Sequence, residues 1–81
     1  MEIQLMKQPR KYLASVDANT RKKLWKALEE LSRLEGDIRP LKGQKNKYRY
    51  KIPHYRILFT REKGSIIITV LEINTRTNIK Y

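Results

Sequence analysis

The spacing of the apolar residues changes once along this chain, and that change excludes most folds. Between Asp17 and Gly36, the residues Leu24, Trp25, Leu28, Leu31 and Leu34 recur three and four apart, the repeat of one helix face. From Lys47 onward the pattern alternates. In KYRYKI the apolar side is Tyr48, Tyr50 and Ile52, which leaves Arg49 and Lys51 together on the other side. YRILFTR follows, and IIITVLEI is apolar on both faces, as a strand inside a sheet is. A chain that is helical first and extended afterwards segregates its layers, so the expected class is α+β.

The ends of the elements can be read as well. MEIQLM alternates through Ile3 and Leu5 as a short strand. Pro9 suits the first turn of a short helix with Tyr12, Leu13 and Val16 on one face. Asp17 is placed to cap a longer second helix and Gly36 to end it. The leucines and Trp25 read as core packing, opposite a solvated face of Lys22, Lys23, Lys26, Glu29, Glu30 and Arg33. After GDIRPLKGQKNK, read as a loop, the chain turns at Pro53 and His54 and again in EKGS around Gly64. The expected order is β-α-α-β-β-β: an antiparallel sheet, a helical hairpin on one face and the other face left for a partner. Residues 1–81 form a single domain in this reading, one that buries only about 60 to 65% of its unfolded surface.

Several kinds of chemistry are excluded. With no cysteine, one histidine and eight scattered carboxylates there is no ligand set for a metal, and no cofactor is expected. Neither G-x-S-x-G nor G-x-x-x-x-G-K occurs, and the three glycines fit helix ends or turns. MEIQLMKQPRKYL lacks an apolar signal core, and IIITVL is too short to span a bilayer. The expectation is a protein of a reducing cytoplasm.

What remains is charge. Nineteen Lys and Arg against eight Asp and Glu give a formal net charge of +11, which draws polyanions. Between Ile38 and Arg61 stand Arg39, Lys42, Lys45, Lys47, Arg49, Lys51, Arg56 and Arg61, with no acid among them. Because this run coincides with strands, it reads as a nucleic-acid face more than as a solvated tail. Lys, Arg and Tyr suit one reaction above others, the cleavage of RNA by its own 2′-hydroxyl. The enzyme then moves two protons and stabilises an extra-charged phosphorane. Guanidinium groups bind phosphate oxygens in pairs, and crowded cations bring a Lys or Tyr toward proton transfer.

The segment LKGQKNKYRYKIPHYRILFTREKGSIIITVLEINTRTNIKY resembles the second half of RelE/ParE-superfamily toxins: a basic strand, a turn, a YR strand and a V-L-x-I strand closing on Arg and Tyr. The first half matches in its strand and helical hairpin. The resemblance implies a microbial-ribonuclease type of fold and a toxin partnered by an acidic antitoxin. In the RelE branch it also implies cleavage of mRNA in the ribosomal A site. It casts Lys51, Arg56 and Arg76 as catalytic, with Arg56 supporting the transition state and Arg76 as proton donor or phosphate ligand. Tyr81 falls near the family's general base, while Lys80 stands four residues after Arg76, a spacing the family also uses. Arg49, with Lys42, Lys45, Lys47 and Arg61, is assigned to RNA binding.

Plainer roles stand beside these. Tyr48, Tyr50 and Tyr55 read as sheet packing, His54 as an exposed turn residue, and Glu72 as the partner of a neighbouring cation. Arg56 and Arg76 would equally hold antitoxin carboxylates. A ParE-like toxin that binds gyrase without cutting anything, or a non-catalytic RNA-binding protein, is the alternative to the ribosome-dependent nuclease.

Overall fold

In the computed structural model, which describes all 81 residues, two helices and five strands follow one another. They are β1 (Glu2–Leu5), α1 (Lys7–Ser15), α2 (Ala18–Ser32), β2 (Asp37–Pro40), β3 (Lys47–Ile52), β4 (Tyr55–Thr60) and β5 (Ile67–Thr75). The sheet order is β1-β5-β4-β3-β2. From β2 to β5 the chain steps back across the sheet by antiparallel neighbours and arrives beside β1, to which β5 is parallel. The helical hairpin carries the chain from one edge to the other, which is what allows a parallel pair at the end of a meander.

The sheet corrects two expectations. It is mixed, not wholly antiparallel, and Asp37–Pro40 is an edge strand inside the segment read as a loop. The only half-buried residue of that strand is Ile38, too little to show alternation. Pro40, which lacks an N–H, closes an edge strand without loss.

The core lies between the hairpin and one sheet face. Leu24, Ala27, Leu28 and Leu31 form the buried stripe of α2, and Leu13 adds α1. They meet Tyr50, Ile57, Phe59, Ile68, Val70 and Ile73. Each buried leucine stabilises by roughly 2 to 3 kcal/mol. Trp25 is outside this stripe and 49% exposed. One position past Leu24 rotates its side chain about 100° away, so the expectation of core packing fails for it, as it does for exposed Leu34.

Leu34, not Gly36, makes the left-handed stop of α2, at φ 54°. Its N–H donates to Leu31 O and that of Glu35 to Glu30 O, the pairing of a Schellman motif. The guanidinium of Arg21 locks the hairpin by donating to the carbonyls that end α1. Its Nε reaches Leu13 O at 2.7 Å, and its Nη2 reaches Val16 O at 2.8 Å and Ala14 O at 3.4 Å.

Strand β5 has one irregularity, and it decides which of its side chains reach the outer face. Leu58 pairs with Glu72 but Phe59 with Val70, so Leu71 is an extra residue in β5. This bulge shifts the parity of the strand. Val70 and Ile73 therefore both enter the core, and Glu72 and Asn74 share the outer face with Leu58 and Arg56.

Candidate functional site

Alternation and register together determine what the helix-free face displays. Two cross-strand rows run over it: Arg39, Arg49, Leu58, Glu72 in one and Asp37, Lys51, Arg56, Asn74 in the next. Arg39 is thus directly opposite Arg49, and Lys51 directly opposite Arg56. Like charges so placed, about 5 Å apart at Cα, repel one another. The unforeseen strand β2 is what brings Arg39 and Asp37 to this face. The charge run in the sequence included Arg39 but gave no sign that it pairs beside Arg49.

Compensation is sparse. The ion pairs of the chain are Arg33 with Glu29 and Glu35, and Arg39 Nε with Asp37 Oδ1 at 3.3 Å. Arg49, Lys51, Arg56 and Arg76 have no carboxylate partner. Glu72, read from the sequence as an ion-pair partner, instead accepts from Asn74 Nδ2 at 3.5 Å.

At the β3–β4 end the face deepens into a cleft of about 270 Å³ lined by Asp37, Lys51, Ile52, Pro53, His54, Arg56 and Arg76. Arg56 is fixed at its base, with Nη1 donating to Ile52 O at 2.9 Å and Tyr55 O at 2.8 Å. Its Nε and Nη2 make no hydrogen bond within the chain, which leaves one edge of the fork for a ligand. Arg76 follows the end of β5, and its backbone N–H donates to His54 O at 3.0 Å. That bond ties the end of the last strand to the β3–β4 turn. Three cations from three parts of the chain thus converge, suited to holding a phosphate.

The remaining site residues divide by position. Lys47 begins β3 on the basic face, while Lys42 and Lys45 lie exposed in the β2–β3 loop. Four strand steps separate Lys47 from Lys51, about 13 Å, so these lysines extend the charge along the face. Arg61 is elsewhere. Its Nε closes the β4–β5 turn on Ser65 O at 2.9 Å, and it borders a hollow with Leu34, Ile38, Tyr48 and Phe59 on the helix side.

Nor are Lys80 and Tyr81 part of the cleft. The tail is not extended: Asn78 and Ile79 donate backbone bonds to Thr75 O, Ile79 is buried, and Tyr81 beyond it is 58% exposed. His54, set aside in the sequence as a turn residue, is brought into the cleft.

The tyrosines of β3 and β4 pack. Tyr48 stacks on Phe59 with ring centroids 5.3 Å apart, and Tyr55 packs against the core cluster. Tyr50 is 1% exposed, and its hydroxyl donates to Glu30 Oε2 at 3.3 Å. Burial, then the charge of Glu30, pushes its pKa up to about 12, so it is no proton acceptor at neutral pH.

These features accompany a clear set of likenesses. A family model described as "ParE toxin of type II toxin-antitoxin system, parDE" matches residues 3–79. Among solved structures, the isolated E. coli RelE toxin superposes with a TM-score of 0.74 at 17% identity, over 91% of this chain and 82% of that one. A chain of the Mycobacterium tuberculosis toxin-antitoxin complex RelBE2 gives 0.76 at 17% identity, over 95% and 92%. The Methanococcus jannaschii RelB-RelE complex gives 0.70 at 25% identity, over 91% of each chain. No curated protein matches the chain. Five strands with a helical hairpin on one face are the fold this chain shares with those structures, and the chain belongs to the ParE toxin family of type II toxin-antitoxin systems, within the RelE/ParE superfamily.

Proposed function

We propose that this toxin is a metal-independent endoribonuclease that cuts mRNA in the ribosomal A site and so stops translation. The observation that carries the reading is the convergence of Lys51, Arg56 and Arg76 on one cleft with no carboxylate partners. Arg49 continues it on the adjoining row. Repelling cations left unpaired on a folded surface favour an anion that accepts from several of them at once. The scissile phosphate of RNA gains charge in the transition state and is such an anion. Arg56 and Arg76 hold its oxygens, Lys51 adds charge, and Arg49, Lys47, Lys45 and Lys42 carry the flanking backbone.

The partners follow from the same charge. An acidic antitoxin covers the basic face and stabilises this small fold by mass action. The structural relatives from M. tuberculosis and M. jannaschii are described as toxin-antitoxin and antitoxin-toxin complexes. No helix of the chain is long and apolar enough to cross a membrane, and the proposed site of action is the cytoplasm, on ribosomes.

A second reading has an observation in its favour. The matching family model is that of ParE, and Lys80 and Tyr81 are outside the cleft, so a gyrase-directed toxin that cuts nothing is the alternative. One experiment separates the two: purified protein added to a translating extract, with message ends mapped, beside a gyrase supercoiling assay. Cuts within codons that leave a 2′,3′-cyclic or 3′-phosphate support the nuclease. Intact message with inhibited gyrase supports the other reading. Under the nuclease reading, Arg56→Glu or Arg76→Glu lowers cleavage on the order of a hundredfold, and binding weakens steeply with added salt.

A further inference from the structure

Ile52 pairs with Tyr55, so the β3–β4 turn consists of Pro53 and His54 alone. His54 has φ 68°, the left-handed region that glycine, asparagine and aspartate enter at least cost in turns. For most L-residues that conformation costs about 1 to 2 kcal/mol. Here it is held by bonds on all sides: Arg56 Nη1 to Ile52 O and Tyr55 O, and the Arg76 N–H to His54 O. The turn would tolerate a less strained residue, yet it carries the one imidazole of the chain.

The position of that imidazole gives the strain a purpose. His54 lines the cleft together with Asp37 from β2, Lys51 from β3, Arg56 from β4 and Arg76 after β5. It also borders a second hollow, where Lys23, Lys26 and Glu30 of α2 and Tyr55 of β4 face it. Among these groups the arginines stay charged and cannot accept a proton, Lys51 is placed opposite Arg56 as a phosphate ligand, and Lys23 and Lys26 line the second hollow and not the cleft. Asp37 is engaged by Arg39, and Glu30 by the Tyr50 hydroxyl. Tyr50 points to the helix side, and Lys80 and Tyr81 are outside the cleft. A histidine is the side-chain type that accepts and releases protons near neutrality.

We propose that His54 is the proton acceptor of this cleft and takes the 2′-hydroxyl proton of the bound RNA; the assignment rests on the nuclease reading. The 2′-oxygen gives its proton to the imidazole and forms a bond to phosphorus. The bond from phosphorus to the 5′-oxygen breaks with its electron pair on that oxygen, which takes a proton from water. The imidazolium then returns its proton to the hydroxide so formed. The products are a 2′,3′-cyclic phosphate and a 5′-hydroxyl. Lys51, Arg56 and Arg76 hold the phosphate within reach of the ring.

The test is single-turnover cleavage of ribosome-bound message by the full chain and by His54→Asn and His54→Gly, from about pH 5 to about pH 8. Both replacements accept a left-handed backbone, and their thermal unfolding and ribosome binding are measured alongside. The expected result is a loss of about a hundredfold or more in cleavage with binding unchanged and thermal unfolding at or above the wild-type temperature, since both replacements relieve the left-handed strain, and the disappearance of the rising acid limb of the wild-type pH profile. Variants that cut as fast as wild type with the same limb overturn the assignment and leave the nuclease reading intact. A loss of cleavage matched by an equal loss of binding makes His54 a binding residue and also overturns it. A wild-type chain that binds but cuts at no pH overturns the nuclease reading, and the role of His54 with it.

Discussion

The side-chain amide of Gln8 pairs with the backbone of Ile73 as a neighbouring strand would. Its Oε1 accepts the Ile73 N–H at 2.9 Å and its Nε2 donates to the Ile73 carbonyl at 2.8 Å. The reason is topological. Strand β1 covers β5 only as far as Val70, so beyond the bulge the edge of β5 is open, and one residue of α1 closes it. The same stretch of β5 leads to Arg76.

Gln8→Ala leaves an amide and a carbonyl of Ile73 unpaired in a half-buried place, at a cost of about 1 to 3 kcal/mol. Urea unfolding is expected to show that loss. Gln8→Glu removes the donor, leaves the carbonyl unpaired, and is expected to lie on the same side of wild type. Hydrogen exchange at Ile73 reads the local effect directly, and protection there equal to wild type in Gln8→Ala would refute the clamp.

Gly36 and Tyr50 are coupled by lack of space. A Cβ at Gly36 would come within 2.6 Å of Tyr50 Cε1 and 2.9 Å of its hydroxyl oxygen, and Gly36 has φ 104°. The ring is buried in the core and held at its hydroxyl by Glu30, so it cannot swing away. Gly36→Ala is expected to destabilise by about 2 to 4 kcal/mol, as overpacking and backbone strain combine. Gly43→Ala, with a positive φ but open space around it, measures the backbone share alone and is expected to cost less.

The sequence shows its helices and inner strands because each buries a full face. Leu24, Leu28 and Leu31 repeat at helical spacing, and Tyr48, Tyr50 and Ile52 alternate. Both patterns are in the core. What stayed hidden depends on partners distant in the chain. β2 buries too little to alternate, and its pairing with β3 alone makes it a strand. The parallel contact of β1 with β5 joins residues more than sixty positions apart. Trp25 is next to the stripe in sequence but off it in rotation.

Legibility of the cleft divides the same way. Alternation alone places Arg49 and Lys51 on one face. That Arg56 joins Lys51 depends on the two-residue turn, and that Arg76 joins both depends on a backbone bond to His54. Extending the alternation past Thr75 misplaces the tail, because the chain turns at Arg76–Asn78.

Tyr50 predicts an alkaline loss of stability. Its pKa is raised above the ordinary value of 10.0 to about 12, by burial first and the charge of Glu30 second. The folded chain therefore holds this proton more tightly than the unfolded one. The associated stabilisation is complete below about pH 10 and declines as the pH rises toward 12. Tyr50→Phe lacks this group. Urea midpoints compared at pH 8 and pH 11 are expected to fall more for wild type than for the variant. At pH 8 the variant itself gives up the bond to Glu30, worth about 1 kcal/mol. Equal alkaline shifts in the two proteins would contradict the assignment.

The tail gives the sharpest separation between family pattern and local geometry. Resemblance assigns a general base to Tyr81 or Lys80, whereas the turn at Arg76–Asn78 and the burial of Ile79 leave both exposed and off the cleft. Under the nuclease reading, Lys80→Ala and Tyr81→Phe are each expected to keep cleavage of ribosome-bound message within a few-fold of wild type, since neither residue lines the cleft shared by Lys51, Arg56 and Arg76. Ile79→Ala is the contrasting variant. It removes the buried anchor of the tail, costs about 2 to 4 kcal/mol as a large-to-small core change, and loosens the chain segment that presents Arg76. Its cleavage is expected to fall through weakened phosphate binding, visible as a higher message concentration for half-maximal rate. If Tyr81→Phe instead lowers the rate on the order of a hundredfold with binding intact, the tyrosine reaches the RNA on the ribosome and the proton acceptor is in the tail.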